Sequence, residues 1–203
     1  MRIRTLYPGS WGANCYLLIN GNSAAVVDPS PSAEQILQAL AEEDARLQYI
    51  LLTHGHFDHI TSLDTLRDRT SVPAMIHESE LTFPSDSRKN AFYYLFHMER
   101  ACRTPEKGFR DGDTLLLGDE EIRVLHTPGH TCGSVCFLCN DQFLLTGDTL
   151  FDGDRGRTDL YSGNEGRLLL TLEQLRDLPQ KLPIYPGHGT SSTLGAALDS
   201  VIY

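Results

Sequence analysis

Short, nearly continuous apolar runs alternate along the chain with segments whose apolar positions recur every three to four residues. The runs predict buried strands, and the spaced positions predict helices packed by one face. Residues 15–19 (Cys-Tyr-Leu-Leu-Ile) and 24–27 (Ala-Ala-Val-Val) flank Asn20-Gly21-Asn22. That turn predicts a hairpin, because Asn and Gly accept the backbone twist a tight turn needs. The second strand ends at Asp28-Pro29. Pro31 fits a helix start, with Ala33, Ile36, Leu37 and Leu40 following at helical spacing. A strand is expected over 49–53, then a polar loop over 54–59, then a helix over 62–69 with Leu63 and Leu66 turned inward.

The stretch 77–107 breaks this rhythm. It is polar and mixed, with one aromatic run, Phe92-Tyr93-Tyr94-Leu95-Phe96. A helical excursion between two β-rich halves is expected there, the aromatics forming its local core or, alternatively, walling a pocket. Beyond it, Asp111-Gly112-Asp113 reads as a turn before Leu115-Leu116-Leu117, and 122–126 as a strand ending at Pro128-Gly129-His130. Residues 134–138 and 142–146 form a second hairpin pattern around Asn140-Asp141. Residues 168–178 are helical in period, and 182–185 is a last strand ending at Pro186-Gly187-His188. Strands and helices in two similar halves predict a mixed α/β fold. The length of 203 residues predicts one domain over 1–203, with the excursion inside it.

Charge narrows the partners. Seventeen Lys+Arg against 27 Asp+Glu leave a net charge of −10, which argues against nucleic acid or a membrane surface as the partner. No apolar run approaches the roughly 18 residues of a membrane span. The N-terminus carries no secretory pattern, and five cysteines are too few and too scattered for a disulfide scaffold. A reducing cytoplasm and a small-molecule partner are therefore expected. Oligomeric state has no signature in the sequence.

Chemistry concentrates where strands end. Thr53-His54-Gly55-His56-Phe57-Asp58-His59 packs three of the eight histidines and a carboxylate into one loop. Imidazole nitrogen and carboxylate oxygen are ligands of Zn²⁺ and similar ions. Positions 54 and 56 can point to one metal while 58 and 59 reach a second. His130, Asp148 and His188 stand in comparable strand-end loops and bring the donors to seven. Seven donors close two sites, three histidines on one ion and two histidines plus Asp on the other, with one carboxylate shared.

These motifs together resemble the metallo-β-lactamase-fold hydrolases. The matching stretches, in family order, are Val27-Asp28-Pro29, Thr53 to His59, Thr127-Pro128-Gly129-His130-Thr131, Thr146-Gly147-Asp148-Thr149-Leu150-Phe151 and Tyr185-Pro186-Gly187-His188. Thr146 to Phe151 with Gly156-Arg157-Thr158-Asp159-Leu160 is most similar to the small glyoxalase II-like branch. The resemblance implies a four-layer αββα sandwich with a dinuclear metal site at one edge. It implies His54, His56 and His130 on one metal, Asp58, His59 and His188 on the other, and Asp148 bridging. Two Zn²⁺ per chain are implied, with Fe or Mn as substitutes. A hydroxide shared by the metals would attack a substrate carbonyl, Asp58 being able to take the water proton. Asp28 is expected to cap the strand end or to orient a ligand imidazole.

The implied activity is thioester hydrolysis of the hydroxyacylglutathione hydrolase type. Glyoxalase II proper adds a C-terminal domain with basic glutathione contacts; here 15 residues follow His188 and none is Lys or Arg, so those contacts do not carry over. The alternatives within the fold are a mononuclear iron, persulfide dioxygenase-like oxidoreductase, which the full donor set disfavours, and a lactonase or other ester hydrolase. Among remaining residues, Cys136 and Cys139 are expected on opposite faces of a strand, hence structural. Cys132, Arg157 and Asp159 are candidates for supporting the site or touching substrate, the last two as an ion pair. His126 is expected to be a core or supporting residue, and His77 and His97 to lie on the surface.

Overall fold

The computed structural model describes residues 1–7 and 12–201. One six-stranded sheet runs in the order β1 (Arg2–Leu6), β2 (Cys15–Asn20), β3 (Ser23–Val27), β4 (Arg46–Leu51), β5 (Ala74–His77) and β6 (Lys107–Phe109). The second, also of six strands, contains β7 (Thr114–Leu117), β8 (Glu120–His126), β9 (Val135–Cys139), β10 (Phe143–Gly147), β11 (Pro183–Pro186) and β12 (Ser192–Thr193). In the first sheet β1 to β3 are antiparallel and β3 to β6 parallel. In the second only β10 and β11 pair in parallel. Helices α1 (Ala33–Glu42), α2 (Leu63–Thr70), α3 (Phe92–Phe96), α4 (Glu165–Leu175) and α5 (Leu194–Ser200) complete the chain.

Three apolar clusters define four layers. Leu17, Val26 and Ile50 face Ile36 and Leu40 of α1 and Leu63 and Leu66 of α2. Their strand neighbours Leu18, Val27 and Leu51 turn the other way, onto Val124, Phe137 and Leu145 of the second sheet. Leu138 and Leu144 face Leu168 and Leu172 of α4 and Leu194 and Leu198 of α5. Both faces of the central strands are buried, which is why they read as continuous apolar runs. The expected αββα sandwich is the fold observed. Cys136 and Cys139 fall in different clusters, and all five cysteines are free. Among the described residues no helix is long and apolar enough to cross a membrane.

The stretch 77–107 differs from the helical excursion expected of it. It contains one 3₁₀ turn (Glu78–Glu80) and the five-residue α3, then returns to the sheet as β6. Side chains there bind the backbone in place of a helix ladder. Asp86 accepts from the Arg88 amide at 2.9 Å, Ser87 from Arg100 at 2.8 Å and Asn90 from Phe92 at 3.0 Å. α3 buries none of its residues, so the aromatic run is no local core. His77 is not on the surface either: it ends β5, is 8% exposed, and stacks on His126 with ring centroids 4.2 Å apart. A strand paired on both edges and covered on both faces leaves no outward position. His97 is exposed. Strands β1, β5, β6 and β12 and helix α5 were not expected from the apolar pattern.

Candidate metal centre

The C-terminal ends of β3, β4, β8, β10 and β11 deliver Asp28, the 54–59 loop, His130, Asp148 and His188 to one edge of the sandwich. All seven expected donors meet there. Three groups each gather ligand atoms within 4.8 Å of one another: His54, His56 and His130; His54, His59 and Asp148; Asp58, His59 and His188.

In the first group His130 Nε2 lies 3.2 Å from His54 Nε2 and 2.9 Å from His56 Nδ1. Zn–N bonds of about 2.0–2.1 Å in tetrahedral geometry put ligand nitrogens roughly 3.3 Å apart, so this spacing suits one ion. In the other half His188 Nε2 lies 3.2 Å from Asp58 Oδ2. Asp148 spans both. Its Oδ1 is 3.2 Å from His59 Nε2, and its Oδ2 is 3.7 Å from His130 Nε2 and 3.6 Å from His188 Nε2.

Hydrogen bonds on the far sides of the rings fix which nitrogens face inward. Asp28 Oδ2 accepts from His59 Nδ1 at 2.8 Å and from the Thr53 hydroxyl at 2.7 Å. That hydroxyl accepts from His54 Nδ1 at 3.1 Å. Asp28 thus orients His59 directly and His54 through Thr53, while its Oδ1 accepts from the Thr53 amide at 2.8 Å. His130 Nδ1 donates to the Arg157 carbonyl at 2.7 Å. The loop after β11 is pinned by Asn14, whose side-chain amide donates to the carbonyls of Pro186 and Gly189, each at 3.0 Å. Gly187 is obligatory in that loop, since a Cβ there would run into the Asp148 carboxylate and the His59 ring.

Electrostatics favour cations at the centre. Burial pushes His54 well below the ordinary histidine range and His56 down to about 3, and their neighbouring imidazoles add to it. Burial also lowers His130, against the pull of Asp148. These rings are neutral and offer lone pairs. His59 and His188 shift the other way: burial opposes the charged ring, but Asp148 and Asp28 around His59, and Asp58 and Asp148 around His188, outweigh it. Asp148 is held below the usual carboxylate range because His59, His130 and His188 overcome its burial. His59 Nε2 and Asp148 Oδ1 are buried without a hydrogen-bond partner. Unpaired buried donor atoms aimed at each other's centre are what a divalent ion satisfies, and nitrogen–oxygen sets of this kind suit Zn, Fe or Mn.

A cavity of about 410 Å³ opens over Asp58, Asp148 and His188. Phe57, Ala91, Leu95, Phe151 and Leu160 supply its apolar wall, and Arg155 and Arg157 also line it. Phe57 packs edge-on against Phe92 and Phe96 of α3 at 5.2 and 5.5 Å, so the aromatic run backs the pocket. Arg157 and Asp159 form a two-pronged ion pair of 2.7 and 2.8 Å. Cys132 does not line this cavity; it borders a separate recess with His126 and Asn164. Asn14, Arg155, Thr53 and Glu80 escaped the sequence reading. Thr53 stood next to the loop as its only signal. Glu80, fully buried and bonded to the amides of Gly55 and Gly133, gave none.

Known proteins resemble this chain in sequence and fold. The sequence profile described as the metallo-beta-lactamase superfamily matches residues 8–188. The chain is 34% identical to the probable metallo-hydrolase YqgX of Bacillus subtilis over 191 residues, 93% of this chain and 90% of that one. It is 30% identical to hydroxyacylglutathione hydrolase GloC of Haemophilus influenzae over 208 residues, 96% of this chain and 94% of that one. The crystal structure of BLEG-1 B3 metallo-beta-lactamase superposes with a TM-score of 0.91 at 32% identity, covering 98% of this chain and 97% of that one. TTHA1623 in a di-iron-bound form superposes with a TM-score of 0.82 at 30% identity, covering 97% and 96%.

Proposed function

The chain belongs to the metallo-beta-lactamase superfamily, and from that premise we propose that it is a dinuclear, zinc-dependent thioesterase of the hydroxyacylglutathione hydrolase type. The observation that carries this reading is the meeting of seven donors, five of which (His56, Asp58, His130, Asp148 and His188) line one cavity. His54, His56 and His130 would hold one ion, Asp58, His59 and His188 the other, and Asp148 would join them. Bound divalent ions would supply Lewis acidity, bringing the pKa of water to about 7 and polarising a carbonyl oxygen.

The protein's own groups do the rest. Asp58, at the cavity floor, is placed to accept the proton of an attacking water. The apolar wall takes the acyl group and excludes bulk water. Arg155 and Arg157 are held in place by Glu165 and Asp159, and present guanidinium charge to the carboxylates of a thiol such as glutathione. Among the described lining residues none outside the donor set is a general acid suited to protonating an amine. A thiolate leaves without a proton and an amide nitrogen does not, which favours thioesters and agrees with the name of the Haemophilus relative.

Metal analysis combined with a panel of S-lactoylglutathione, lactones and β-lactams tests the reading. Two zinc ions per chain with S-lactoylglutathione as the preferred substrate is the expected result. One iron per chain with oxygen uptake on glutathione persulfide would overturn it, as would turnover of β-lactams alone.

A further inference from the structure

The buried half of the centre is assembled from two loops far apart in sequence and attached to different sheets. His54 and His56 follow β4, and His130 follows β8. One side chain joins them. Glu80 ends the 3₁₀ turn Glu78–Glu80 and is 0% exposed. Its Oε2 accepts from the Gly55 amide at 2.8 Å, between the two histidines of the first loop. Its Oε1 accepts from the Gly133 amide at 2.8 Å, in the loop that carries His130.

Gly133 is fitted to the approach of Glu80 and Gly55 to the neighbouring Phe83. A Cβ on Gly55 would sit 2.5 Å from Phe83 Cβ, and one on Gly133 would sit 2.7 Å from Glu80 Cγ. Glu80 does not line the substrate cavity and donates to none of the seven ligands. A buried carboxylate is costly, and here both of its oxygens are spent on backbone amides of the ligand loops. The chemistry is specific to a carboxylate. Two equivalent acceptors serve two converging N–H groups, whereas an amide side chain offers one acceptor and sets its own NH₂ against the second N–H.

We propose that Glu80 is a positioning residue that sets the spacing of the tri-histidine half, clamping the loop of His54 and His56 to the loop of His130. The inference rests on the two-ion reading of the centre. Glu80→Gln keeps one arm of the clamp and loses the other; Glu80→Asp keeps the charge but is one methylene too short to reach both.

The test uses the full chain loaded with Co²⁺, reading metal content, the visible Co²⁺ spectrum and the rate of release to a chelator. In a His188→Ala background, which isolates the tri-histidine ion, E80Q and E80D are expected to release that ion about 10–100-fold faster and to alter its spectrum, as supporting residues of metal ligands do. In a His130→Ala background, the ion left on Asp58, His59 and His188 is expected to leave at an unchanged rate with or without the Glu80 change. Release unaltered by both Glu80 variants in the His188→Ala protein would overturn the proposal, as would equal acceleration in both backgrounds. If E80Q does not fold, the folded E80D protein decides by the same comparison. A parent chain that binds no Co²⁺ would instead overturn the two-ion reading itself.

Discussion

The tri-histidine half and the Asp58–His59–His188 half both rest on imidazoles, the second adding a carboxylate, but they differ in how firmly their donors are held. His54, His56 and His130 are 0%, 4% and 2% exposed, and two of them are oriented from behind by Thr53 and the Arg157 carbonyl. In the other half His59 is equally buried and held by Asp28, but the side chain of His188 is 42% exposed and that of Asp58 19%. Both halves reach the cavity, the first through His56 and His130 and the second through Asp58 and His188, but the donors of the second are the more exposed there. On the two-ion reading, the ion on the more exposed donors would be the more open to what enters.

Asp148 belongs to both halves, and its loss breaks the comparison most completely. Asp148→Asn removes one negative charge from beside His59, His130 and His188. On the two-ion reading each ion would supply several kcal/mol, and each 1.36 kcal/mol is tenfold in rate, so kcat/KM is expected to fall by about 10³-fold or more, with metal content below one ion per chain. Steady-state kinetics and metal analysis of the purified variant check this. Retention of two ions and wild-type turnover would mean that Asp148 bridges nothing.

The halves should then separate under a chelator. Release from the wild-type protein is expected in two phases, the faster from the side of His188. His188→Ala should abolish the fast phase, leave one ion per chain and lower kcat/KM by about 10²-fold. A single phase from the wild type would show that burial and orientation do not make the two sites differ.

The difference between the halves was only partly legible in the sequence. The candidate donors that meet at the centre were readable, because metals accept few residue types and three histidines and an aspartate in one loop have little other use. His130, Asp148 and His188 were readable because each follows an apolar strand, and strand ends present chemistry. The hairpins were readable from their turns. Glu80 was not, since it acts on backbone amides of Gly55 and Gly133, and a backbone amide leaves no mark in the sequence. Strand β1 was missed because its residues are exposed or half-buried with no clean alternation, and β6 because three residues, Lys-Gly-Phe, join the sheet only by pairing with β5. The aromatics of α3 stayed open between a local core and a cavity wall because composition alone does not tell the two apart; packing against Phe57 decides for the wall.

Acid should act on the buried half in the metal-free protein. His56 titrates at about 3 in the folded chain because of its burial, and at about 6.5 when unfolded. As pH falls from 6.5 towards 3 the unfolded chain takes up a proton that the folded chain refuses, so stability is lost over that window, by at most about 1.4 kcal/mol per pH unit. The raised values of His59 and His188 work in the opposite direction. The readout is therefore the difference between wild type and His56→Asn: chemical denaturation of the metal-free proteins at several pH values should give the variant a shallower loss on the acid side. Parallel curves would show that His56 is solvated in the absence of metal.

The smallest effect is expected at Arg157, where backbone and side chain have separate roles. The carbonyl orients His130 at 2.7 Å and survives any substitution of the side chain. The guanidinium pairs with Asp159 at 2.7 and 2.8 Å, with side chains 52% and 67% exposed. Such exposed pairs contribute about 0.2–1 kcal/mol, and lysine replaces the charge but not the two-pronged geometry. Arg157→Lys should therefore leave metal content and release rates unchanged and alter kcat by less than about fivefold. KM separates the two uses of the side chain. If the guanidinium only fixes its loop, KM for an anionic thioester and for a neutral ester should move together. If it also receives a carboxylate of the substrate, KM should rise for the anionic substrate alone.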